Sequence, residues 1–320
     1  VSTVSRALSG SQLVNDSTRQ RVVELARSLN YSINAGAQNL RLKQNRSVAV
    51  VVPFDATSRE HLSDPFFLSL IGSLADALTD RGIEMLLSRV DAERLDLAAQ
   101  SFETGRAAGI VLIGQWHHHD QLNAMAVRGI PFVVWGAQLP EQVYTTVGSD
   151  NLQGGRLATA HLLAQGAKKV AFFGDPDLPE VGQRLEGYRQ ALTAAGVAVD
   201  PDLVRPTPFA SEAVQQAIEQ ALDSHLAFDA VFAASDLMAM TVVNALRRRG
   251  LDVPRDVLVA GYDDIGLAGY FHPPLTTVRQ PVASAGQTLV AQLLARMNGE
   301  KIHSQLLPTA LVVRESSSRV

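Results

Sequence analysis

The chain has 320 residues, 46% hydrophobic and 19% charged, with a net charge of −4 and no cysteine. That length allows about two domains, and the apolar content can bury a sizeable core, which excludes global disorder. Without cysteine there are no disulfides, thiolate zinc sites or cysteine nucleophiles, and no apolar run approaches the roughly 18–20 residues that span a bilayer.

Taken in chain order, Val1 to Gly10 (VSTVSRALSG) is polar and lacks the apolar segment of a secretory signal. Val1, Val4, Ala7 and Leu8 fall at helical spacing, and Ser9-Gly10 closes that segment. Asn15 is placed to N-cap a helix from Asp16 to about Leu29, with Val22, Val23, Leu25, Ala26 and Leu29 as its apolar stripe. Asn34 to Leu42 is helix-capable but has too few apolar side chains to be stable alone. Residues 1–46 carry seven Lys or Arg against two acids, a charge of +5. The remaining 274 residues hold 21 bases and 30 acids, or −9. A basic head on an acidic body concentrates attraction for phosphate at one end; a solvated positive tail would look the same on charge alone.

From Ser47 the pattern changes to short β-rich runs alternating with amphipathic helices, as in βαβ units around a mostly parallel sheet. Strands are expected at 47–53, 84–89, 109–114, 131–135, 168–173, 228–233, 257–261 and 309–314. Helices are expected at 66–81, 92–104, 151–165, 182–195, 211–222, 235–248 and 282–298, with Gly82, Gly166 and Gly250 at C-caps. The units fall into two sets, roughly 47–148 and 149–280, which predicts two similar α/β lobes with a ligand cleft at the C-terminal ends of their strands.

Several short motifs then occur in one register. Thr3-Val4-Ser5-Arg6-Ala7-Leu8, Val14-Asn15-Asp16-Ser17-Thr18-Arg19 and Leu29-Asn30-Tyr31 closely resemble the head of LacI-type (lactose-repressor, GalR-type) bacterial regulators. Asn34, Ala37 and Leu40 match that family's hinge helix. Asp64-Pro65-Phe66-Phe67, Ser149-Asp150-Asn151, Ser235-Asp236-Leu237-Met238-Ala239, Gly261-Tyr262-Asp263-Asp264 and Pro274-Leu275-Thr276-Thr277-Val278-Arg279-Gln280 follow in its order and spacing. Ile33 stands where the family usually has proline, and Gln38 where arginine is common. The family's first helix and the start of its recognition helix precede Val1, so the chain reads as clipped within the helix-turn-helix.

The resemblance implies an α/β fold: two Rossmann-like lobes of the periplasmic-binding-protein type behind a small all-α DNA-binding head, incomplete here. It places the partial helix-turn-helix at 1–32 and the hinge helix and linker at 33–46. The N-terminal lobe comprises 47–148 plus 281–305, and the C-terminal lobe 149–280 plus 306–320. It also implies a cytoplasmic, non-enzymatic, homodimeric regulator, a repressor by role, that binds double-stranded operator DNA and a small effector without any cofactor.

At the DNA-reading end the resemblance makes Ser2 to Ser9 the remainder of the recognition helix. Arg6 would read guanine, Val1 would meet a thymine methyl, and Ser2 would donate or accept at a base edge. Thr3, Ser5 and Asn15 would hold phosphates. With Asn34 and Ala37 on the same segment, Leu40 would wedge into the minor groove.

For the ligand, the resemblance converges Phe66, Phe67 and Phe209 as aromatic faces, Arg184 as a fork of donors, and Asp236 and Asp263 as acceptors of hydroxyl hydrogens. Gln115, Trp135, Asp150 and Gln280 join them at loop positions. Such a set suits a polyhydroxylated ligand, a sugar, although a purine would need the same aromatics. Phe67 could instead pack in the core, and Asp236 and Asp263 could instead be helix N-caps. His117-His118-His119 reads as a solvated loop rather than a metal site, since nothing nearby completes a tetrahedron, and Trp116 stands where it can rim the cleft. Two other function classes compete with the regulator. A periplasmic-type sugar-binding protein predicts a signal peptide and no basic head. An enzyme lacks both a GxxxxGK[ST] phosphate loop and a G-x-S-x-G elbow.

Overall fold

A computed structural model describes residues 2–8, 12–29, 46–54 and 62–318, with only the backbone of Ser2 and Ser5. The chain divides into two compact units, Val1–Arg46 and Ser47–Val320.

In the first unit, helices α1 (Ser2–Leu8) and α2 (Asp16–Ser28) pack over the buried Ala7 and Val14. α2 starts where the sequence predicts. Asn15 is extended, and its Oδ1 accepts from the Thr18 amide at 2.9 Å, satisfying one of the orphan donors of the first turn. Arg19 ties the same corner by donating to Asp16 at 2.6 Å and to the Val14 carbonyl at 3.2 Å. The predicted stripe of α2 is only partly covered, and Leu25 and Leu29 are exposed.

The second unit contains two six-stranded sheets. The first has the order β11-β5-β4-β3-β1-β2, all parallel. Its strands are β1 (Ser47–Phe54), β2 (Glu84–Asp91), β3 (Gly109–Ile113), β4 (Phe132–Trp135), β5 (Thr146–Ser149) and β11 (Gln305–Leu307). The second has the order β12-β10-β9-β8-β6-β7, parallel except for the β10–β12 pair. Its strands are β6 (Val170–Phe173), β7 (Val204–Arg205), β8 (Ala230–Ala233), β9 (Leu258–Asp263), β10 (Thr276–Arg279) and β12 (Ala310–Val312). Val48 to Val52 are all buried, as a central strand covered on both faces by helices requires. In both sheets the strand order reverses, between β1 and β3 and between β6 and β8, which is where open α/β sheets leave a crevice at their carboxyl ends.

The helices around the sheets are α3 (Pro65–Thr79), α4 (Gln100–Glu103), α5 (His119–Val127), α6 (Asn151–Ala164), α7 (Pro179–Ala194), α8 (Ser211–Asp223), α9 (Asp236–Arg248) and α10 (Val282–Met297). Each of the predicted C-cap glycines has positive φ: Gly82 at 64°, Gly166 at 92° and Gly250 at 77°. Some expectations need correction. The helix expected over 92–104 is a run of 3-10 turns, Ala92–Ala99, broken at Arg94 (φ −132°, ψ 53°), followed by the four-residue α4. Strands β5, β7, β10 and β11 were not expected. β11 keeps Leu306 and Leu307 in the first sheet beside β5, so the chain passes to the second sheet after Leu307 rather than after residue 305.

The chain crosses between the sheets three times: at 149–151, at 279–282, and at 308–309. The crossings brace one another. The Asp150 amide donates to the Leu307 carbonyl at 2.9 Å, and Thr309 Oγ1 donates to the Asp150 carbonyl at 3.2 Å. α6 and α7 lie against each other almost backbone to backbone. A Cβ on Gly155 would collide with the Arg184 carbonyl oxygen, and one on Gly187 with that of Leu152. Gly155→Ala should therefore destabilise the protein by about 1–3 kcal/mol, since a packed interface cannot yield to extra volume. Gly72→Ala, on an exposed face of α3 with nothing within 4 Å of the new methyl, should be neutral or stabilising by up to about 1 kcal/mol. Urea unfolding of the two variants would check both signs.

A candidate ligand cleft between the two sheets

The cleft of Ser47–Val320 lies where the carboxyl ends of the two sheets face each other. From the first sheet come Ile113 and Gly114 at the end of β3, Trp135 and Gly136 at the end of β4, and Gly148 and Ser149 at the end of β5. From the second come Ser235 after β8, Asp263 closing β9 and Gln280 after β10, with Phe209 beyond β7. Asp64, Phe66 and Phe67 enter from the start of α3; Glu180 and Arg184 enter from α7. The empty space between these groups is about 810 Å³, counting the part open to solvent.

The aromatic wall is set by a helix cap. Asp64 Oδ1 accepts from the Phe66 amide at 2.8 Å, and Pro65 occupies the first helical position, which fixes the two phenylalanines on the first turn of α3. Burial pushes the Asp64 carboxyl above the usual carboxylate range, against the opposing pull of the Phe66 and Phe67 amides. The Phe66 ring lies 5.8 Å from Phe67 and 6.3 Å from Trp135, both tilted. Phe66 packs against the cores of both lobes.

Arg184 is buried at 6% exposure and locked at three points. Its Nε donates to Asn151 Oδ1 at 2.9 Å, an Nη donates to the Ala234 carbonyl at 2.6 Å, and Cζ lies 3.8 Å over the Tyr262 ring. A guanidinium held this way is pre-organised. Asp263 has the left-handed φ of 115°, and its Oδ1 accepts from Gln280 Nε2 at 2.6 Å. Burial raises its carboxyl well above the usual range. The Arg184 cation opposes this, while the Asp236 and Asp64 carboxylates add to it.

Three residues placed in the site from sequence do not line the cleft. Asp236 is wholly buried behind it. Its Oδ1 accepts from Thr277 Oγ1 at 2.5 Å and its Oδ2 from the Ile265 amide at 2.8 Å, while the Asp264 amide donates to the same Thr277 hydroxyl at 3.2 Å. The N-cap of α9 is Ser235, so Asp236 is neither cap nor lining group; it braces the turn through Asp263 and Asp264. Asp150 is spent as the N-cap of α6, accepting from the Gln153 amide at 2.9 Å. Gln115 is buried with its amide donating to the Ala137 carbonyl at 2.9 Å and to Tyr144 Oη at 2.7 Å. Phe66, Phe67, Trp135, Arg184, Phe209, Asp263 and Gln280 are brought together.

Asp64, Ser149, Asn151, Glu180 and Ser235 also line the cleft and were not among the expected ligand residues. Asn151 belongs to the noticed Ser149-Asp150-Asn151 motif and orients Arg184. Glu180 sits one residue after the proline that opens α7, a start three residues earlier than expected, and Pro179 was the available signal. Burial raises the Glu180 carboxyl, offset by its own amide, by the Arg184 cation and by the Ala137 amide reaching from the first lobe. Among the described residues there is no cluster of three or more potential metal ligands.

In the first unit, Thr3 and Arg6 are exposed on α1, and Ser2 and Ser5 lie on the same helix. Asn15 spends its side-chain oxygen on the Thr18 amide. Val1, Asn34, Ala37 and Leu40 lie outside the described residues.

Comparison with known proteins gives matches along the whole chain. Residues 1–34 match the family described as bacterial regulatory proteins, lacI family, and residues 159–317 match the periplasmic binding protein-like domain. The chain is 36% identical to the HTH-type transcriptional regulator CelR of Thermobifida fusca, over 98% of this chain and 94% of that protein. It is 32% identical to the HTH-type transcriptional repressor CytR of Escherichia coli K12, over 98% of this chain and 92% of that one. Among solved structures it resembles the lac repressor dimer bound to operator and the anti-inducer ONPF (TM-score 0.87, 26% identity, 99% and 95% of the two chains). It also resembles a CelR–cellobiose complex (TM-score 0.76, 34% identity, 98% and 95%).

Proposed function

The chain belongs to the lacI family of bacterial regulatory proteins, a ligand-controlled, DNA-binding class of transcriptional regulator, and on that premise we propose that it is a repressor whose effector is a carbohydrate. The observation that carries the effector class is the make-up of the cleft. Phe66, Phe67, Trp135 and Phe209 offer apolar faces around a pre-organised Arg184, an Asp263 and a Glu180. A pyranose presents C–H faces to such rings and hydroxyls to such donors and acceptors.

In this reading residues 1–32 are the DNA-binding head and 33–46 the hinge. Arg6 reads guanine with Val1 and Ser2 at neighbouring base edges, and Thr3 and Ser5 hold phosphates. Asn15 holds phosphate through whatever its cap bond to Thr18 leaves free. Asn34, Ala37 and Leu40 belong to the minor-groove segment. A pseudo-palindromic operator requires a two-fold axis, so the working unit is a homodimer, acting in the cytoplasm where the chromosome lies. No helix among the described residues is long and apolar enough to cross a membrane. The relatives are regulators rather than enzymes, and we assign no catalytic step.

Sugar binding should change operator affinity by about 5–150-fold, the span of a coupling energy of about 1–3 kcal/mol. Anisotropy of a labelled operator, titrated with the full-length protein with and without sugar, measures the change. Unaltered affinity at saturating sugar would reject ligand control.

A further inference from the structure

Beyond Trp116 the cleft does not end. A second, open recess adjoins it, lined by Trp116, His117, His119, Leu139, Asp177 and Pro179, and Trp116 lines both. Its walls come from both lobes: the loop after β3 and residue 139 from the first, and the segment leading into α7 from the second. The Gln138 carbonyl accepts from Gln183 Nε2 at 3.1 Å, which holds the Leu139 wall against α7.

Trp116 is unusual as a packing residue. It is half-buried, its φ is 49°, and its indole N–H makes no hydrogen bond among the described residues. A non-glycine residue in that left-handed region is a strained position, and such strain gathers where a binding surface needs a side chain aimed in one direction. Gly114, two residues earlier, has φ 93°, a left-handed turn that favours glycine and leads the chain into Trp116.

The three consecutive histidines separate accordingly. His118 turns away to Glu93, with its Nε2 3.0 Å from Oε2. His117 and His119 face the recess, and His119 Nδ1 is buried without a partner. An aromatic face with imidazoles and a carboxylate around it repeats the chemistry of the inner compartment.

We propose that the effector passes Trp116 and fills this outer recess, so that the ligand is an oligosaccharide of at least two rings. Trp116 stacks on the outer ring, and His117, His119 and Asp177 take its hydroxyls. The inference rests on the carbohydrate reading of the inner compartment and goes beyond it by fixing the ligand's length.

Calorimetric titration of the full chain tests both. The probes are glucose, galactose, xylose and ribose beside cellobiose, maltose, lactose and xylobiose, with adenosine as the non-sugar comparison. At least one disaccharide should bind tenfold or more tighter than its component monosaccharides. The double variant His117→Ala, Asp177→Asn, which changes the outer recess alone, should reduce that affinity at least tenfold and leave monosaccharide binding within threefold; Trp116→Ala should also weaken disaccharide binding, while Trp116→Phe retains most of it. A monosaccharide binding as tightly as every disaccharide that contains it would overturn the outer subsite and leave the carbohydrate reading standing. So would a loss in the His117→Ala, Asp177→Asn variant that is equal for both, or no loss at all. Binding of adenosine alone, or of none of the sugars, would remove the carbohydrate reading and this inference together. The comparison of mono- and disaccharides on the unaltered protein decides the matter even if a variant folds poorly.

Discussion

Arg184→Ala is expected to reduce sugar affinity by at least a hundredfold and to lower folding stability by about 2–4 kcal/mol. The two effects have separate origins. Affinity falls because the variant removes the fixed donor fork from a cleft whose other charged groups are carboxylates: Asp64, Glu180 and Asp263. Stability falls because Asn151 Oδ1 and the buried Ala234 carbonyl lose their donor and the Tyr262 ring loses the cation above it. Arg184→Lys separates the two. It keeps a positive charge near Tyr262 but cannot reproduce two bonds in fixed directions, so it should recover part of the stability and little of the affinity. Calorimetric titration with the tightest sugar, alongside urea unfolding, reads both quantities. If Arg184→Ala bound that sugar within threefold of the parent, Arg184 would be a structural residue only.

The second large effect concerns pH. Burial raises the Asp236 carboxyl to about 7 from its ordinary 3.8. The Asp264 carboxylate adds to the rise; the Thr277 hydroxyl, the Ile265 amide and Arg314 oppose it. An unfolded chain returns the group to its ordinary value, so between about 4 and about 7 the folded chain holds a proton that the unfolded chain has released. The contribution to stability is therefore full below about 4, falls as pH rises, and is gone above about 7, at roughly 1 kcal/mol per pH unit. Asp236→Asn keeps an oxygen for the Ile265 amide and turns its own amide toward the Thr277 oxygen, so it should fold. It should also flatten the dependence, gaining roughly 2–4 kcal/mol on the parent between pH 5 and pH 8. Parallel stability curves for parent and variant across that range would show that Asp236 does not titrate there.

Asp236 also shows what the sequence could and could not convey. Its place in Ser235-Asp236-Leu237 marks it as important, and it is, but one layer behind the cleft. The carboxylate holds Thr277 and Ile265, which brace the Asp263–Asp264 turn at φ 115° and 55°. A motif gives the order of residues and not the depth at which each ends up. Asp150 and Gln115 were misplaced for the same reason, since their partners, the Gln153 amide and Tyr144, are settled by local backbone and by packing. The central strands were legible because Val48 to Val52 form a continuous apolar run. β5 (TVGS) and β10 (TTVR) were not, because three of the four residues in each are polar or glycine, and the buried hydroxyls of Thr146, Thr276 and Thr277 are satisfied by bonds with Gln142, the Arg314 carbonyl and Asp236. α5 was hidden by the histidines at its start.

Residues 1–46 form one continuous unit, while the two sheets are knitted together by three passages of the chain. That difference sets what recombination can exchange. A single breakpoint near residue 46 swaps the reader of one operator for another and leaves the sensor whole. Trading one lobe for a relative's needs three coordinated breakpoints and must restore the Asp150, Leu307 and Thr309 bonds at the joints. New operators should therefore be acquired by shuffling, and new effectors by substitution inside an inherited cleft.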